Sequence, residues 1–415
     1  MKRVILLCAV LIMASGLAFA GGGRQTASGP RLVYWSMWNE AEPQGQVIAR
    51  ATEAFTRETG IPVEINFNGR DIRMTLQPAL DAGETIDIFD EDIERVSQTW
   101  GNYLLPLDSY VTRTYSTTGG RPYNQVVNRT LIDLARQLGN GQVKNIPYQP
   151  MTFVVMYNKD LFTRAGISSA PKTWNEMLDA CAKLKAIGVA GFTVDDAYMA
   201  CLFGYTMNRI VGTERTSAMA ANNDFSGPAV LRFAQIWENM ARNGYITPTS
   251  ASNVWPTGQI NDFAAGRAAM YLNGTWLPNE IKGNAPNMRW GSFAFPAIDP
   301  AGDGIEANNF GSQSFGVNKN TKYPEEAFRY IAWLTTGQWD VTLAEETIGI
   351  PVGNDSRWPS ALAEAKAVVD ATTKRMPWAN GMEDSAEINA KIKENFARLI
   401  RGDFNAQQFA DAMRR

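Results

Sequence analysis

No histidine occurs anywhere in the 415 residues. That absence removes Ser-His-Asp and Cys-His nucleophilic catalysis, imidazole acid–base chemistry and His-ligated zinc together. Chemistry here must run on carboxylates, amides and hydroxyls, or be non-covalent. Cysteine is scarce as well. Of three, Cys8 lies inside an N-terminal apolar run, which leaves Cys181 and Cys201 either to pair in an oxidising compartment or to sit as two small buried residues. A surplus of basic charge is also missing: 39 Lys and Arg face 42 Asp and Glu, which argues against nucleic acid or an anionic membrane surface as a partner. No Pro/Ser linker, low-complexity run or fixed-period repeat divides the chain.

What is present begins at the N-terminus. Lys2 and Arg3 precede an apolar run from Val4 to Met13, and small residues end it at Ala18-Phe19-Ala20-Gly21. Charged, apolar and small-x-small regions in that order read as a secretory signal peptide over residues 1–20, cleaved after Ala20, with a flexible leader over 21–28. Cleavage removes two of the 39 basic residues and no acid, leaving 37 against 42, a net charge of −5. The remaining chain exceeds what one hydrophobic core usually holds, so two domains are expected.

Short β-rich runs alternate with amphipathic segments: Arg31 to Trp35, Gln44 to Thr59, Pro62 to Phe67, Arg70 to Ala82, Ile86 to Phe89. This rhythm predicts an α/β fold built from βαβ units on a largely parallel sheet. Thr173 to Glu176 has capping-box spacing, with Gly188 as terminator. Pro324, followed by Glu325 and Glu326, suits a first helical turn. The stripe Val230, Phe233, Trp237, Met240 reads as core packing.

Four stretches, in order, resemble the family 1 extracellular solute-binding proteins, the sugar-binding components of ABC importers. The first is Leu32 to Trp38, with Ala82 to Phe89 and Leu104 to Asp108 behind it. The second runs from Ile146-Pro147-Tyr148 through Met156-Tyr157-Asn158-Lys159-Asp160-Leu161-Phe162 to Pro171-Lys172-Thr173-Trp174, and is the most specific. Phe263 to Met270 with Asn273-Gly274-Thr275-Trp276 is the third, and Phe310 to Val317 with Pro324 to Leu334 and Gly349-Ile350-Pro351 the fourth. The resemblance implies a two-lobed periplasmic-binding-protein fold with a hinge and an interlobe ligand cleft. One lobe would comprise 29–150 and 312–354, the other 151–311 and 355–415. It also implies a periplasmic, monomeric protein that passes its solute to permease subunits in the inner membrane, with no cofactor and no metal.

Sugars present hydroxyl rims and weakly apolar C–H faces, so a site for them combines planar aromatics with carboxylate or amide groups. On that chemistry and the family positions, the expected ligand contacts are Trp38, Asn39, Asp90, Asp92, Tyr148, Gln149, Trp276, Asn309 and Trp378. Asn308 would share an amide rim with Asn309. Asp90 and Asp92 have a competing structural reading as helix caps before Ile93, and a calcium loop lacks the Gly and distal Glu it needs. Met151 and Thr152 stand where the maltose-binding member of the family carries a glutamate, which argues against a maltodextrin pocket. Two rival functions remain: a same-fold binder of a polyol or other polar solute, and a secreted carbohydrate-active enzyme using two carboxylates.

Overall fold

A computed structural model of the chain describes residues 29–250 and 257–414. The expected export segment and leader lie outside the described residues. Nine strands form one hydrogen-bonded sheet: β1 Leu32–Ser36, β2 Val63–Phe67, β3 Ile88–Asp92, β4 Asn145–Asn158, β5 Ala190–Thr193, β6 Ala268–Gly274, β7 Trp290–Phe293, β8 Ala307–Val317 and β9 Lys374–Met376. Their order is β2-β1-β3-β8-β4-β6-β5, with β7 also on β4 and β9 on β8.

The sheet is not largely parallel, which corrects the expectation. β1 runs parallel to β2 and β3, as β5 does to β6 and β9 to β8. The middle is antiparallel: β3 with β8, β8 with β4, and β4 with β6 and β7. The βαβ rhythm is a local signal within each half. The antiparallel middle comes from two long strands, β4 with 14 residues and β8 with 11, running past each other through the junction.

Two large apolar cores sit at opposite ends of these long strands. One gathers Tyr34, Phe55, Phe89, Trp100, Phe315 and Phe328; the other gathers Phe153, Trp174, Phe203, Phe233, Trp237 and Phe396. Along β4, Tyr148 belongs to the first core and Phe153 to the second, so the strand changes lobe within five residues. Beyond that point its side chains alternate with the period of two that a strand dictates. Phe153, Val155 and Tyr157 enter the second core, while Val154 and Met156 enter a smaller cluster on the opposite face with Phe263, Leu277 and Leu362.

Local signals behave as their chemistry requires. The capping box at Thr173 forms, Gly188 takes the left-handed conformation at φ 78°, Pro324 opens the helix Pro324–Thr335, and Trp237 is fully buried. Cys181 and Cys201 are buried free thiols, the second of the two readings open to them. Among the described residues no helix is long and apolar enough to cross a membrane, and no group of three acidic or thiol side chains could hold a metal ion.

Candidate functional site

The junction of the lobes has two walls and a floor. On the wall of the second lobe, Trp276 follows β6 and Trp378 follows β9. With Phe153 and Tyr198 they form a four-ring cluster: Phe153 lies 5.0 Å from Tyr198, 5.9 Å from Trp276 and 5.4 Å from Trp378, and the two indoles are 6.1 Å apart, tilted by 36°. Phe153 is buried beneath, while both indoles and Tyr198 keep part of their surface open. Each indole is fixed at its edge, Trp276 Nε1 donating to the Tyr198 hydroxyl at 3.1 Å and Trp378 Nε1 to Glu383 Oε2 at 2.7 Å.

Glycine makes the Trp276 arrangement possible. A Cβ on Gly274 would stand 2.2 Å from the indole ring, so the Asn273-Gly274 turn leaves the space the ring folds back into. Trp378 and Glu383 are joined through a backbone that turns left-handed at three successive residues, Ala379, Asn380 and Gly381, with φ 45°, 54° and 81°.

The facing wall comes from β3 and the helix Ile72–Asp81. Glu91 is fully buried and accepts from Arg73 Nε at 2.5 Å and from the Asp92 backbone N–H at 2.7 Å; Arg95 approaches both acids, at 3.8 Å from Glu91 and 3.6 Å from Asp92. Burial pushes Asp92 up to about 8, reinforced by the Glu91 carboxylate beside it. Glu91 is held below its usual range although burial opposes this, because Asp92 and Arg73 favour its anion. One carboxyl raised and its neighbour lowered are the directions of a pair that shares a proton through a hydrogen bond. Arg73 is also close enough to Glu383 for each to feel the other's charge, which sets the two walls opposite one another. Burial raises Glu383 above its ordinary value.

The walls are already tied at one point. Arg375, on β9, donates from Nε to the Phe310 carbonyl at 2.6 Å and from its terminal nitrogen to Glu94 at 2.7 Å, joining the second lobe to the first. The floor is the paired stretch of β4 and β8, where the Asn309 and Gln313 side-chain oxygens and the Ser312 hydroxyl are buried without a hydrogen-bond partner in the protein.

The expected contacts divide sharply on this frame. Asp92, Trp276 and Trp378 come together around the walls, and Asn39 is exposed on the loop after β1, its backbone N–H bonded to Glu42 at 2.7 Å. Asp90 does not line the cleft. It is fully buried, with Oδ1 accepting from the Tyr34 hydroxyl and the Met37 N–H, both at 2.9 Å, and Oδ2 from the Tyr148 hydroxyl. Tyr148 is buried too, stacked on Phe315 at 4.2 Å, and accepts from Trp38 Nε1 at 2.7 Å. Trp38 is 7% exposed with the Arg70 guanidinium 4.7 Å above its ring, so little of its face is open. Gln149 donates to Thr347 at the hinge, and Asn309 is buried in the floor, donating to the Met376 carbonyl at 3.2 Å. Asn308 is likewise buried, its amide donating to the Ile305 carbonyl.

Sequence reasoning missed Tyr198, Glu383 and Arg73, and met Glu91 only as one member of an acidic cluster. Arg73 sits inside a helix, where it reads as ordinary surface charge. Glu383, five residues past a loop tryptophan, carried a usable hint.

Residues 38–339 match the family described as bacterial extracellular solute-binding protein. A binding protein of Brucella abortus (strain 2308) is 26% identical over 260 residues, 60% of this chain and 58% of that one. The multiple sugar-binding protein of Streptococcus mutans serotype c (strain ATCC 700610 / UA159) is 27% identical over 208 residues, 48% of this chain and 49% of its own length. The matched region thus spans only about half of these curated relatives. Among solved structures, RafE in complex with raffinose superimposes with a TM-score of 0.71 at 18% identity, covering 93% of this chain and 98% of that one. At that identity the likeness establishes the two-lobed fold.

Proposed function

The chain belongs to the bacterial extracellular solute-binding proteins, and from that premise we propose that it is the exported capture component of a carbohydrate ABC importer. The observation that carries this reading is the pair of part-exposed indoles, Trp276 and Trp378, held 6.1 Å apart and fixed at their edges. Rigid aromatic faces suit the C–H face of a sugar ring, and the opposite wall offers the Asp92 carboxyl and two guanidinium groups for its hydroxyls. The names of two similar proteins, a multiple sugar-binding protein and a raffinose complex, point the same way.

In this reading Trp276 and Trp378 stack on the solute, Asp92, Arg73 and Asn39 hydrogen-bond its rim, and the buried Glu91 holds Arg73 and Asp92 in place. Tyr198 and Glu383 position the indoles. Asp90, Tyr148 and Trp38 are a buried anchor for the first lobe's loop, and Gln149 and Asn309 serve the hinge and floor. The solute binds one wall, and the second wall closes on it, stabilising an arrangement otherwise little populated. The segregation of the two cores supports lobes of 29–150 with 312–354 and of 151–311 with 355–415. Cleavage after Ala20 releases a periplasmic monomer, which docks in its closed form on the permease.

The family consists of binding proteins, and the carboxyls at the junction are engaged by protein groups, Glu91 by Arg73 and Asp92 and the facing Glu383 by the Trp378 indole. A glycosidase needs its two carboxyls on either side of a scissile bond. A thermal-shift screen of the exported protein against mono-, di- and oligosaccharides, polyols and polyamines tests the reading, followed by calorimetry on the best ligand. A saccharide recovered intact, with affinity lost at least tenfold in both W276A and W378A, is the expected result. Preference for an acyclic polyol, unaffected by either substitution, overturns it.

A further inference from the structure

The crossing between lobes carries two backbone outliers, joined through Thr347 and Gly349. Gln149 sits on β4 at φ 43°, in a bulge where the pairing with β8 slips between Tyr148 opposite Gln313 and Pro150 opposite Ser312. Ile348 ends the helix Gln338–Thr347 at φ 48° and ψ 41°, fully in the left-handed region. Neither residue type belongs there: a β-branched side chain at positive φ is a genuine outlier, and glutamine lacks the short side chain that lets Asn adopt it. Such strain persists only where the surroundings impose it.

The surroundings are those of an interlocked joint. Gln149 Nε2 donates to Thr347 Oγ1 at 3.2 Å, and Thr347 Oγ1 donates onward to the Leu343 carbonyl at 2.6 Å. Gly349 lies against both: a Cβ there would stand 2.7 Å from Thr347 Oγ1 and 3.0 Å from Gln149 Nε2. One residue on, Ile350 is buried in the cluster of Met156, Leu277 and Leu362 on the second lobe. Val352 returns to the first core, its carbonyl accepting from the Asn128 N–H at 2.8 Å. The segment 348–352 is thus a finger of the first lobe whose tip is held by the second. Its base is locked to the point where β4 changes lobe. The Gln149 Oε1 atom, buried beside it, has no partner in the protein.

We propose that Gln149 and Ile348 form one coupled, strained pivot that sets the balance between open and closed arrangements of the lobes. Neither crossing can swing without the other, because the Gln149–Thr347 bond and the contact at Gly349 join them. Strain present in the described conformation and relaxed in another tilts the equilibrium away from the described one. Replacing either residue with glycine, which takes positive φ freely, removes that tilt.

This rests on the lobe-closure reading above, but its test needs no ligand. Spin labels at Glu58→Cys and Lys183→Cys, both exposed and on helices of different lobes, report the interlobe distance, while native Cys181 and Cys201 are buried. In the ligand-free exported protein, Ile348→Gly should raise the population at the described distance about tenfold relative to other distances. Gln149→Gly should move it the same way. Ile348→Ala keeps a Cβ, and with it most of the strain, so it should stay near the wild-type distribution. Distributions unchanged in both glycine variants overturn the proposal, as does an equal shift in the alanine variant, which would assign the effect to lost side-chain packing. A failed carbohydrate screen would leave this result standing, and a failed pivot would leave the binding reading standing.

Discussion

Asp90→Ala separates an anchoring acid from a ligand contact. In the folded protein the Asp90 carboxylate is the acceptor for three buried donors, the hydroxyls of Tyr34 and Tyr148 and the Met37 N–H. Removing it strands all three, at about 1–3 kcal/mol each, or roughly 6 kcal/mol in total. Against this, the wild type carries an unfavourable buried charge, because burial raises the Asp90 carboxyl from 3.8 to about 6 despite its three hydrogen bonds. At pH 7 that charge costs about 3 kcal/mol, which the alanine variant escapes, so the net loss is about 3 kcal/mol. The sign of the pH dependence follows. A folded-state value above the unfolded one means the native protein holds the proton longer, so wild-type stability rises as pH falls from above 6 towards 4. The alanine variant lacks this gain, and the substitution should cost about 1 kcal/mol more at pH 5 than at pH 7. Urea unfolding followed by circular dichroism measures both quantities. By the same arithmetic Asp92, raised further by burial and Glu91, is relieved of a larger cost on truncation while the Arg95 N–H loses its acceptor, so Asp92→Ala should not destabilise the fold and should act on binding instead. A difference below about 1 kcal/mol for Asp90→Ala at pH 7, or a cost that shrinks on acidification, refutes the reasoning.

Other positions yield shorter tests. Gly274→Ala should displace the Trp276 ring, which a Cβ would meet at 2.2 Å, and reduce solute affinity at least tenfold while Gly283→Ala, which meets nothing, leaves it unchanged; titration by tryptophan fluorescence compares them. Arg209 is fully buried, donating to the Phe295 and Ala307 carbonyls at 3.0 and 2.7 Å and to Asn208 at 2.7 Å. Arg209→Ala should therefore cost about 3–5 kcal/mol in thermal or urea unfolding, by orphaning those acceptors and opening a cavity. Cys181 and Cys201 should react with a thiol reagent only after denaturation, and reductant should leave the melting temperature unchanged.

Much of the architecture was legible because it follows from local chemistry. The Thr173 capping box, the Pro324 helix start and the Trp237 stripe each depend on residues within one or two turns. The antiparallel middle of the sheet was not legible, since nothing local to β4 or β8 says that they pair. Trp276 and Trp378 could be picked out because a tryptophan outside any helical stripe has no evident core to fill. Asp90 was misplaced for a specific reason: β3 was expected to end by Phe89 but extends to Asp92, so Asp90 points into the sheet's packed face. Aspartate is disfavoured in strands, and donors far off in the chain make it tolerable there: Tyr34, 56 residues away, Tyr148, 58 residues away, and the Met37 N–H, 53 residues away. Gln149 and Ile348 were invisible for a different reason, because positive φ at a residue other than Gly, Asn or Asp has no sequence signature.

One proton, shared between Asp92 and Glu91, organises the charged wall. A wall of ionised carboxylates only accepts, and sugar hydroxyls on such a wall must all donate. With burial and Glu91 raising Asp92 to about 8, its carboxyl keeps a proton at neutral pH and donates it to Glu91, which leaves Arg73 and Arg95 as the donors this wall offers a solute. Raising the pH through 8 removes that proton and sets a second negative charge beside Glu91. Solute affinity should then fall about tenfold between pH 7 and pH 9, with the midpoint near the Asp92 value. Asp92→Asn supplies a donor at every pH, so its affinity should be nearly flat over the same range. Calorimetric titrations of both proteins at pH 7, 8 and 9 decide the matter: if the asparagine variant loses affinity along the wild-type curve, the titrating group lies elsewhere and the proton between Asp92 and Glu91 does not govern binding.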